Sequence, residues 1–411
     1  MNSSQTEHFI GVDIGTSMVR CIVGMYDPDT NKPSIIGHGE SENHGMRRGA
    51  VVHVDEVAEA ISKAVTEAER ISGMPIRRAT VNVNGSHVGG INSEGVIAIS
   101  AANREILHED RLRVEEAATI VNIPPNREIV QFFAKNYTVD GQKNIKDPIG
   151  MTGVRLEVDA HIVTAASTNM RNLDAALEKA GIEINHHTVS GLAAAEAVMT
   201  RQMREAGTAL IDIGAGTTNL IVFEDGEVQH VAIIPIGGQH ITNDLAIGLK
   251  TDIDIAEEVK IQHANLSGKA NKKDAIMKIK GRTHTFDYDL IEMVVESRVE
   301  ELLEYVNKEL HKIKKAKKLP GGIIITGGTA KIAGIDEFAK EKLELPSRIA
   351  KLKDIGGLID VIEDQTYVTV VGLMLLDMLF LPALPATTGR STDKVKDIVI
   401  DFVGKARRKI F

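Results

Sequence analysis

The sequence predicts an α/β protein of two related lobes, with a separate insert in the first. Three observations carry this. Residues 209–223 read as strand, glycine turn and strand around Asp212-Ile-Gly-Ala-Gly-Thr-Thr-Asn219, and residues 9–23 repeat the pattern around Asp13-Ile-Gly-Thr-Ser17. A third glycine turn, in Gly322-Ile-Ile-Ile-Thr-Gly327-Gly-Thr-Ala-Lys331, follows another apolar strand. Two similar units about two hundred residues apart mark an internal duplication. Small residues at Gly214, Ala215 and Gly216 let backbone N–H groups approach an anion, and Thr217 and Thr218 add hydroxyls. Asp212, at the end of a buried strand, can hold a magnesium ion through water. One Asp-x-Gly turn is ordinary; two suggest lobes that grip one nucleotide between them.

Length and composition bound the alternatives. A chain of 411 residues exceeds one ordinary core, so two or more domains are expected. Aromatic residues are 3% with no Trp, which leaves no visible platform for stacking bases. The net charge of −9 argues against bulk nucleic-acid binding, which wants a basic face. Cys21 has no partner and lies in an apolar strand pattern, so it is expected in the core. The polar start Met1-Asn-Ser-Ser-Gln-Thr-Glu-His8 lacks a signal-peptide pattern, and a cytosolic setting is expected. The most apolar stretch, residues 370–381, is too short to span a bilayer and carries Asp377, which favours a core helix.

Taken in order, residues 9–25 and about 34–39 read as paired strands. Asp55 opens a helix in which Val57, Ala58, Ile61, Ala64, Val65 and Ala68 recur at helical spacing up to Gly73-Met-Pro75. Residues 78–84 form another strand. Residues 85–159 read as the insert, with strands near 95–99, 129–139 and 154–161 and a helix over about 110–121. That helix is expected to turn Leu112, Ala117, Ile120 and Val121 to the core, with Glu109 and Asp110 at its start. Nothing in the insert resembles catalytic chemistry, and it is either a recognition surface or a spacer. Residues 160–166 are strand-like, 170–180 helical up to Gly181, and 189–203 a second helical stretch.

Beyond the Asp212 turn, residues 228–234 make a strand, and Gly237 and Gly238 open a helix. Free N–H groups there attract anions, although a plain loop-to-helix junction fits as well. Glu257 and Lys260 share a helix face, as a surface ion pair also would. Residues 269–282 form a polar, basic excursion. A long helix over about 290–317 carries Ile291, Val294, Val295, Leu302, Leu303, Val306, Leu310 and Ile313 at core spacing, and its lysine-rich end suits the helix dipole. Glycines at 327 and 328 let a flat purine or its ribose lie against the backbone.

Three turns in the order phosphate, phosphate, adenosine resemble the nucleotide-binding pattern of the actin, hexokinase and DnaK-type chaperone superfamily. The insert narrows the resemblance. Asn84-Gly-Ser, Asn92-Ser-Glu-Gly95, Tyr137-Thr-Val-Asp-Gly141 and Lys146-Asp-Pro-Ile-Gly-Met-Thr-Gly-Val-Arg-Leu-Glu157 are similar to the FtsA family of bacterial cell-division proteins, and the likeness runs over residues 8–411. It implies an actin-like two-lobed ATPase fold of duplicated RNase H-like domains. The first lobe would be 8–84 and 160–203, the inserted subdomain 85–159, the second lobe 204–245 and 320–380, and its small subdomain 246–319.

The resemblance also implies ATP and magnesium, with Asp13, Gly15, Thr16 and Ser17 facing Asp212, Gly214, Gly216 and Thr217. Gly237 and Gly238 match the glycine pair beside the phosphates; Glu257 and Lys260 match adenine and ribose contacts; Gly327, Gly328 and Thr329 match the adenosine turn. There are departures. Many members have Lys where this chain has Met18, and Gly and Asp where it has Ala215 and Asn219. Chaperone relatives place a Glu where this chain has Gly191, while Glu196 lies further along and is expected to point elsewhere. A general base must reach the attacking water, so hydrolysis is expected to be slow and ATP to set conformation and assembly.

The tail adds a second argument. Residues 381–392 form a Pro/Thr-rich linker, and 393–411 return to helical spacing with Val395, Ile398, Val399, Phe402, Val403, Ala406 and Ile410 on one face. Lys394, Lys396, Lys405, Arg407, Arg408 and Lys409 fall outside that face, and Phe411 ends the chain. Such a helix can lie in a membrane interface and attract anionic lipids. By resemblance, this is a peripheral protein on the cytoplasmic face of the membrane at the septum. It would form filaments, bind the C-terminal peptide of tubulin-like FtsZ on 246–319, and recruit later division proteins. Arg298 is the residue expected to pair with an acidic group of that peptide. A type IV pilus assembly protein is disfavoured by the tail and the 146–157 motif. A small-molecule kinase would need an acceptor pocket and a base that the sequence does not display.

Overall fold

The computed structural model describes residues 8–100, 103–120, 123–268, 274–279, 282–353, 355–358 and 362–380. β1 (His8–Ile14), β2 (Met18–Tyr26) and β3 (Pro33–Glu42) form an antiparallel meander. A short ribbon of β4 (Met46–Arg47) and β5 (Ala50–Val51) leads to α1 (Val54–Ser72). All six apolar residues expected on α1's core face are buried. The helix stops where Gly73 turns left-handed at φ 70° and its N–H bonds the Glu69 carbonyl. β6 (Arg78–Val83) then pairs parallel to β1, and Cys21 is fully buried on β2.

The insert follows as β7 (Gly89–Ala98), α2 (His108–Thr119), β8 (Arg127–Val139), β9 (Gln142–Ile145) and β10 (Arg155–Ala166), with sheet order β7-β10-β8-β9. β10 is a single strand where the sequence suggested two, so it runs from the insert into the lobe. The core face of α2 also differs from expectation. Asp110, Arg111, Val114, Glu115 and Ala118 are buried, whereas Ile120 is 83% exposed, and Leu112 and Ala117 are not in the core; Val121 lies outside the described residues. Arg111 pairs with Glu115 at 3.5 Å, and the Tyr137 hydroxyl bonds the same carboxylate. Mutual compensation lets charges occupy a face that hydrophobic counting turns outward.

α3 (Ser167–Lys179) and β11 (Glu183–Val189) complete the first lobe's sheet, β11-β6-β1-β2-β3 with β19 (Gly356–Gly357) beyond β3. β11 had no clear signal, because Glu-Ile-Asn-His-His-Thr-Val does not alternate. The helical stretch expected over 189–203 is two helices, α4 (Ser190–Val198) and α5 (Arg201–Glu205); the chain is extended at Met199 and Thr200, and the Thr200 hydroxyl caps α5 by accepting the Met203 N–H.

The second lobe repeats the first. β12 (Thr208–Ile213), β13 (Thr218–Glu224) and β14 (Glu227–Ile234) form a meander. α6 (Gly238–Leu249), α7 (Ile253–His263), the hairpin of β15 (Asp274–Ile279) and β16 (Arg282–Asp287), and α8 (Tyr288–Lys312) follow. β17 (Gly322–Thr326), α9 (Ile335–Leu343), β18 (Ser347–Ile349) and α10 (Val368–Phe380) end the described chain. The sheet order β14-β13-β12-β17-β18 matches β3-β2-β1-β6-β11 strand for strand. α8 stops five residues earlier than expected: Lys314 and Lys317 take left-handed φ of 60° and 59°. Lys312, Lys315 and Lys317 neutralise Glu309, Glu224 and Glu344, so ion pairs explain that basic run better than the helix dipole.

α10 and α4 cross between the lobes. A Cβ on Gly372 would run into the Ala193 carbonyl, so the helices touch backbone to backbone there. α10 is the expected core helix, and Asp377 is fully buried. Its carboxylate accepts the Ile10 N–H at 2.9 Å, the Thr80 hydroxyl at 2.6 Å and an Asn185 amide hydrogen at 2.9 Å. No described helix is long and apolar enough to cross a membrane. A third contact joins the insert to the second lobe: the Val231 N–H on β14 donates to His161 Nε2 on β10 at 3.0 Å. The linker and tail, residues 381–411, lie outside the described residues.

Candidate functional site

The duplicated hairpins share one register. Asp13 sits opposite Arg20 and Asp212 opposite Asn219, in each case the residue seven positions on. Each turn closes with one bond, Gly15 N–H to Met18 O and Gly214 N–H to Thr217 O, both at 2.9 Å. The two turns face each other across a cleft of about 560 Å³. Of the residues expected there, Asp13, Gly15, Thr16, Ser17, Asp212, Gly214, Thr217, Gly238, Glu257, Lys260, Gly327, Gly328 and Thr329 line it. Met18, Ala215 and Asn219, the departures from the family pattern, line it too.

Four expected ligands do other work. Thr218 is wholly buried, and its hydroxyl donates to the Ile236 carbonyl at 2.7 Å, away from the cleft. Strand alternation turns Thr218 inward when Thr217 faces the opening. Gly216 lies under Thr16 of the opposite turn, where a Cβ would come within 2.8 Å of the hydroxyl. Gly237 and Gly238 were expected to offer free N–H groups. Instead Gly238 N–H donates to Gly214 O at 2.9 Å, Gln239 N–H to Ala215 O at 2.8 Å, and Gly237 N–H to His240 Nδ1 at 3.1 Å. The start of α6 therefore braces the Asp212 turn.

Other elements close the remaining walls. Lys260 Nζ reaches Glu257 at 2.7 Å, the Thr242 hydroxyl at 2.9 Å and Gly238 O at 3.3 Å, so the Glu–Lys pair is docked on α6. Gly327 has φ 90°, and a Cβ there would lie 2.5 Å from Asp212 Oδ1, so only glycine fits. The Thr329 hydroxyl donates to Gly214 O at 3.3 Å and ties the third turn to the second.

The electrostatics centre on two buried carboxylates. Burial and the charge of Asp212 push Asp13 up to about 7, against a lowering by Arg20. Burial pushes Asp212 up to about 6, although Thr369 and Asn219 donate to it at 3.3 Å each. Asn219 Oδ1 is buried with no hydrogen-bond partner. Two buried carboxylates raised above their ordinary range and an orphaned amide oxygen suit a hard cation. Among the described residues no three His, Cys, Asp or Glu side chains cluster as direct metal ligands.

Sequence reading missed several residues that line the cleft. Arg20 was legible from register alone, since it faces Asp13 across the hairpin; its guanidinium sits 5.2 Å from the Tyr367 ring and 3.3 Å from Glu40. Ser190 and Thr369 come from helices distant in sequence, and no local motif marks them. Gly191 stands beside Asn219 and Ile221, and Glu196 points elsewhere, as expected: it pairs with Arg204 at 2.7 Å and Lys353 at 3.0 Å. Burial pushes the Glu196 carboxyl up, but those two cations outweigh it and hold it low. Arg298 already pairs with Asp244 at 2.5 Å and with Glu301. The tail residues from Val395 to Phe411 lie outside the described residues.

Comparison with known proteins gives this architecture a family. The sequence profile described as cell division protein FtsA matches residues 209–372, and that of an SHS2 domain inserted in FtsA matches residues 85–164. Among solved structures, the PilM-PilN type IV pilus biogenesis complex superposes with a TM-score of 0.64 at 16% identity, over 90% of this chain and 99% of that one. MreB5 of Spiroplasma citri bound to ADP gives 0.54 at 15% identity, over 91% and 97%. These likenesses establish the actin-like fold. The cell division protein FtsA of Bacillus subtilis (strain 168) is 38% identical over 376 residues, covering 90% of this chain and 83% of that one. On that similarity and the two profile matches, the chain belongs to the FtsA family of bacterial cell-division proteins.

Proposed function

We propose that this chain is an ATP-binding scaffold that holds the FtsZ ring to the inner face of the cytoplasmic membrane at the septum. One observation carries the nucleotide half of the reading: three glycine turns and two facing aspartates converge in one cleft of about 560 Å³. ATP would place its phosphates between the Asp13 and Asp212 turns, its ribose by Glu257 and Lys260, and its base by Gly327, Gly328 and Thr329. Ile261, Ala264 and Ile332 supply apolar wall at that end. Asp13 and Asp212 would hold magnesium through water, and the ion would neutralise phosphate charge. Gly191 and Ser190 put no carboxylate beside the phosphates, which favours slow hydrolysis.

The anchoring half rests on the tail, whose apolar face and basic residues suit an anionic membrane surface. The insert, with Val96, Ile120, Ile149 and Val154 exposed, is the surface offered to further copies or later division proteins. An acidic FtsZ peptide meeting Arg298 would exchange places with Asp244 or Glu301. The first test is titration of the full chain with ATP in magnesium and in EDTA. Binding that ignores magnesium and survives Asp212→Ala would sink the cleft assignment. Cosedimentation with anionic vesicles, with and without ATP and FtsZ, tests the scaffold, which falls if FtsZ never pellets with the chain and vesicles together.

A further inference from the structure

Two residues that line the cleft, Asp13 and Ser190, are joined behind it by Asn82, which bonds both. Asn82, on β6 and 2% exposed, has its amide orientation fixed by an obligate donor: Oδ1 accepts the Ile14 N–H at 2.7 Å. The amide nitrogen therefore faces the other way, donating to Asp13 Oδ1 at 2.6 Å and to Ser190 Oγ at 3.1 Å. An amide nitrogen carries two hydrogens, and both are committed. Ser190 opens α4, is 1% exposed and lines the cleft. Among the described residues, Asn82 is its hydrogen-bond partner and no acceptor takes its proton. Its oxygen accepts from Asn82, so its own hydrogen has the cleft to point into. Its neighbour Gly191 packs on Asn219 and Ile221 of the second lobe, which sets Ser190 between the two aspartate turns.

We propose that Ser190, oriented by Asn82, is a hydrogen-bond donor that reads the terminal phosphate of a bound nucleoside triphosphate; this rests on the cleft being the nucleotide site. A committed donor can bond a phosphate oxygen. It cannot take the proton of an attacking water. The same hydroxyl therefore favours triphosphate over diphosphate without promoting cleavage. Asn82 is a positioning residue: it never needs to touch the nucleotide, and it acts by deciding which way the serine proton points.

The test compares the affinities of the full chain for AMPPNP and ADP, both with magnesium. Variants are Ser190→Ala, Ser190→Thr, Asn82→Asp and the Ala/Asp double, each checked by its melting curve. Ser190→Ala should lower the preference for AMPPNP by about tenfold or more, the worth of one hydrogen bond to a charged group, with ADP affinity kept within about twofold. Ser190→Thr should keep the preference. Asn82→Asp still accepts the Ile14 N–H but offers Ser190 an acceptor, which draws the proton back. Besides any weakening of both nucleotides through its other partner Asp13, it should lower the preference too, and it should lower the preference no further in the Ser190→Ala background. An unchanged preference in Ser190→Ala overturns the inference. So does an Asn82→Asp loss of the AMPPNP-over-ADP preference that persists in full in the double variant. If Asn82→Asp does not fold, the Ala and Thr variants decide alone. A parent chain that binds neither nucleotide refutes the cleft assignment instead, before any variant is compared.

Discussion

His161 shows how one side chain can join parts of the molecule and set a pH dependence. It is 1% exposed on β10, and its Nε2 accepts the Val231 N–H of the second lobe. That bond requires Nε2 to be unprotonated, so Nδ1 carries the hydrogen and donates to Asn92 Oδ1 at 2.9 Å. Burial, the neighbouring His230 and Lys135 push its pKa down to about 3. In the unfolded chain the same imidazole titrates near 6.5. Between those values the unfolded state binds a proton that the folded state refuses, so stability is flat above about pH 6.5 and falls as pH drops below it. The loss by pH 5 is on the order of 2 kcal/mol. Thermal melts at pH 7.5 and pH 5 should show it. His161→Gln should start lower at pH 7.5, by about 1–3 kcal/mol for a poorly satisfied Val231 N–H, and lose less on acidification. His230, also lowered mainly by burial, keeps part of the slope. An acid sensitivity identical to the parent's would remove His161 from the account.

At the level of elements, α4 and α10 form the joint between lobes, and their contacts are specific enough to break singly. Gly372→Ala would drive a methyl into the Ala193 carbonyl, which neither backbone can yield without separating the helices. The expected cost is about 1–3 kcal/mol or more, read as a lowered melting temperature. Glu196 belongs to the same joint through Arg204 and Lys353. Glu196→Gln should therefore reduce stability by roughly 3 kcal/mol, as a buried ion network loses one partner, and leave phosphate release unchanged. A collapse of phosphate release in a folded Glu196→Gln variant would contradict that placement. Elements written in local chemistry were legible in the sequence. The Asp13 and Asp212 hairpins announce themselves because a turn with glycine must sit between two apolar runs, and α1 because its spacing and Gly73 agree. What local pattern could not supply was each element's surroundings. The face of α2 is set by an Arg111–Glu115 pair whose compensation depends on Tyr137 from β8. Thr218 looked like a ligand until the carbonyl of Ile236 claimed it, and the N–H groups that open α6 looked free until Gly214 and Ala215 took them. Ser190 and Asn82 meet only because α4 and β6 do.

For the molecule as a whole, the cleft and the tail are separable. Among the described residues, those that line the cleft lie between Asp13 and Thr369, and the buried helix α10 carries the packed structure on to Phe380. The segment proposed to meet the membrane begins at Asp393, beyond a linker rich in Pro and Thr. A chain cut after Thr392 should then melt within about 1 °C of the parent, since no described core contact is lost. It should also bind ATP with the parent's affinity, within about twofold. Pelleting with anionic vesicles should disappear, because the apolar face that would enter the interface and its six basic neighbours have been removed together. Reversing Arg407, Arg408 and Lys409 to Glu in the full chain isolates the charge component. Each basic residue near an anionic surface is worth about 1 kcal/mol, so the reversal should weaken vesicle binding by at least a hundredfold, and added salt should weaken the parent in the same direction. Undiminished pelleting of the shortened chain would move membrane attachment onto the folded lobes. Loss of ATP binding on the same truncation would mean that the tail completes the cleft, contrary to the separation drawn from the residues that line it.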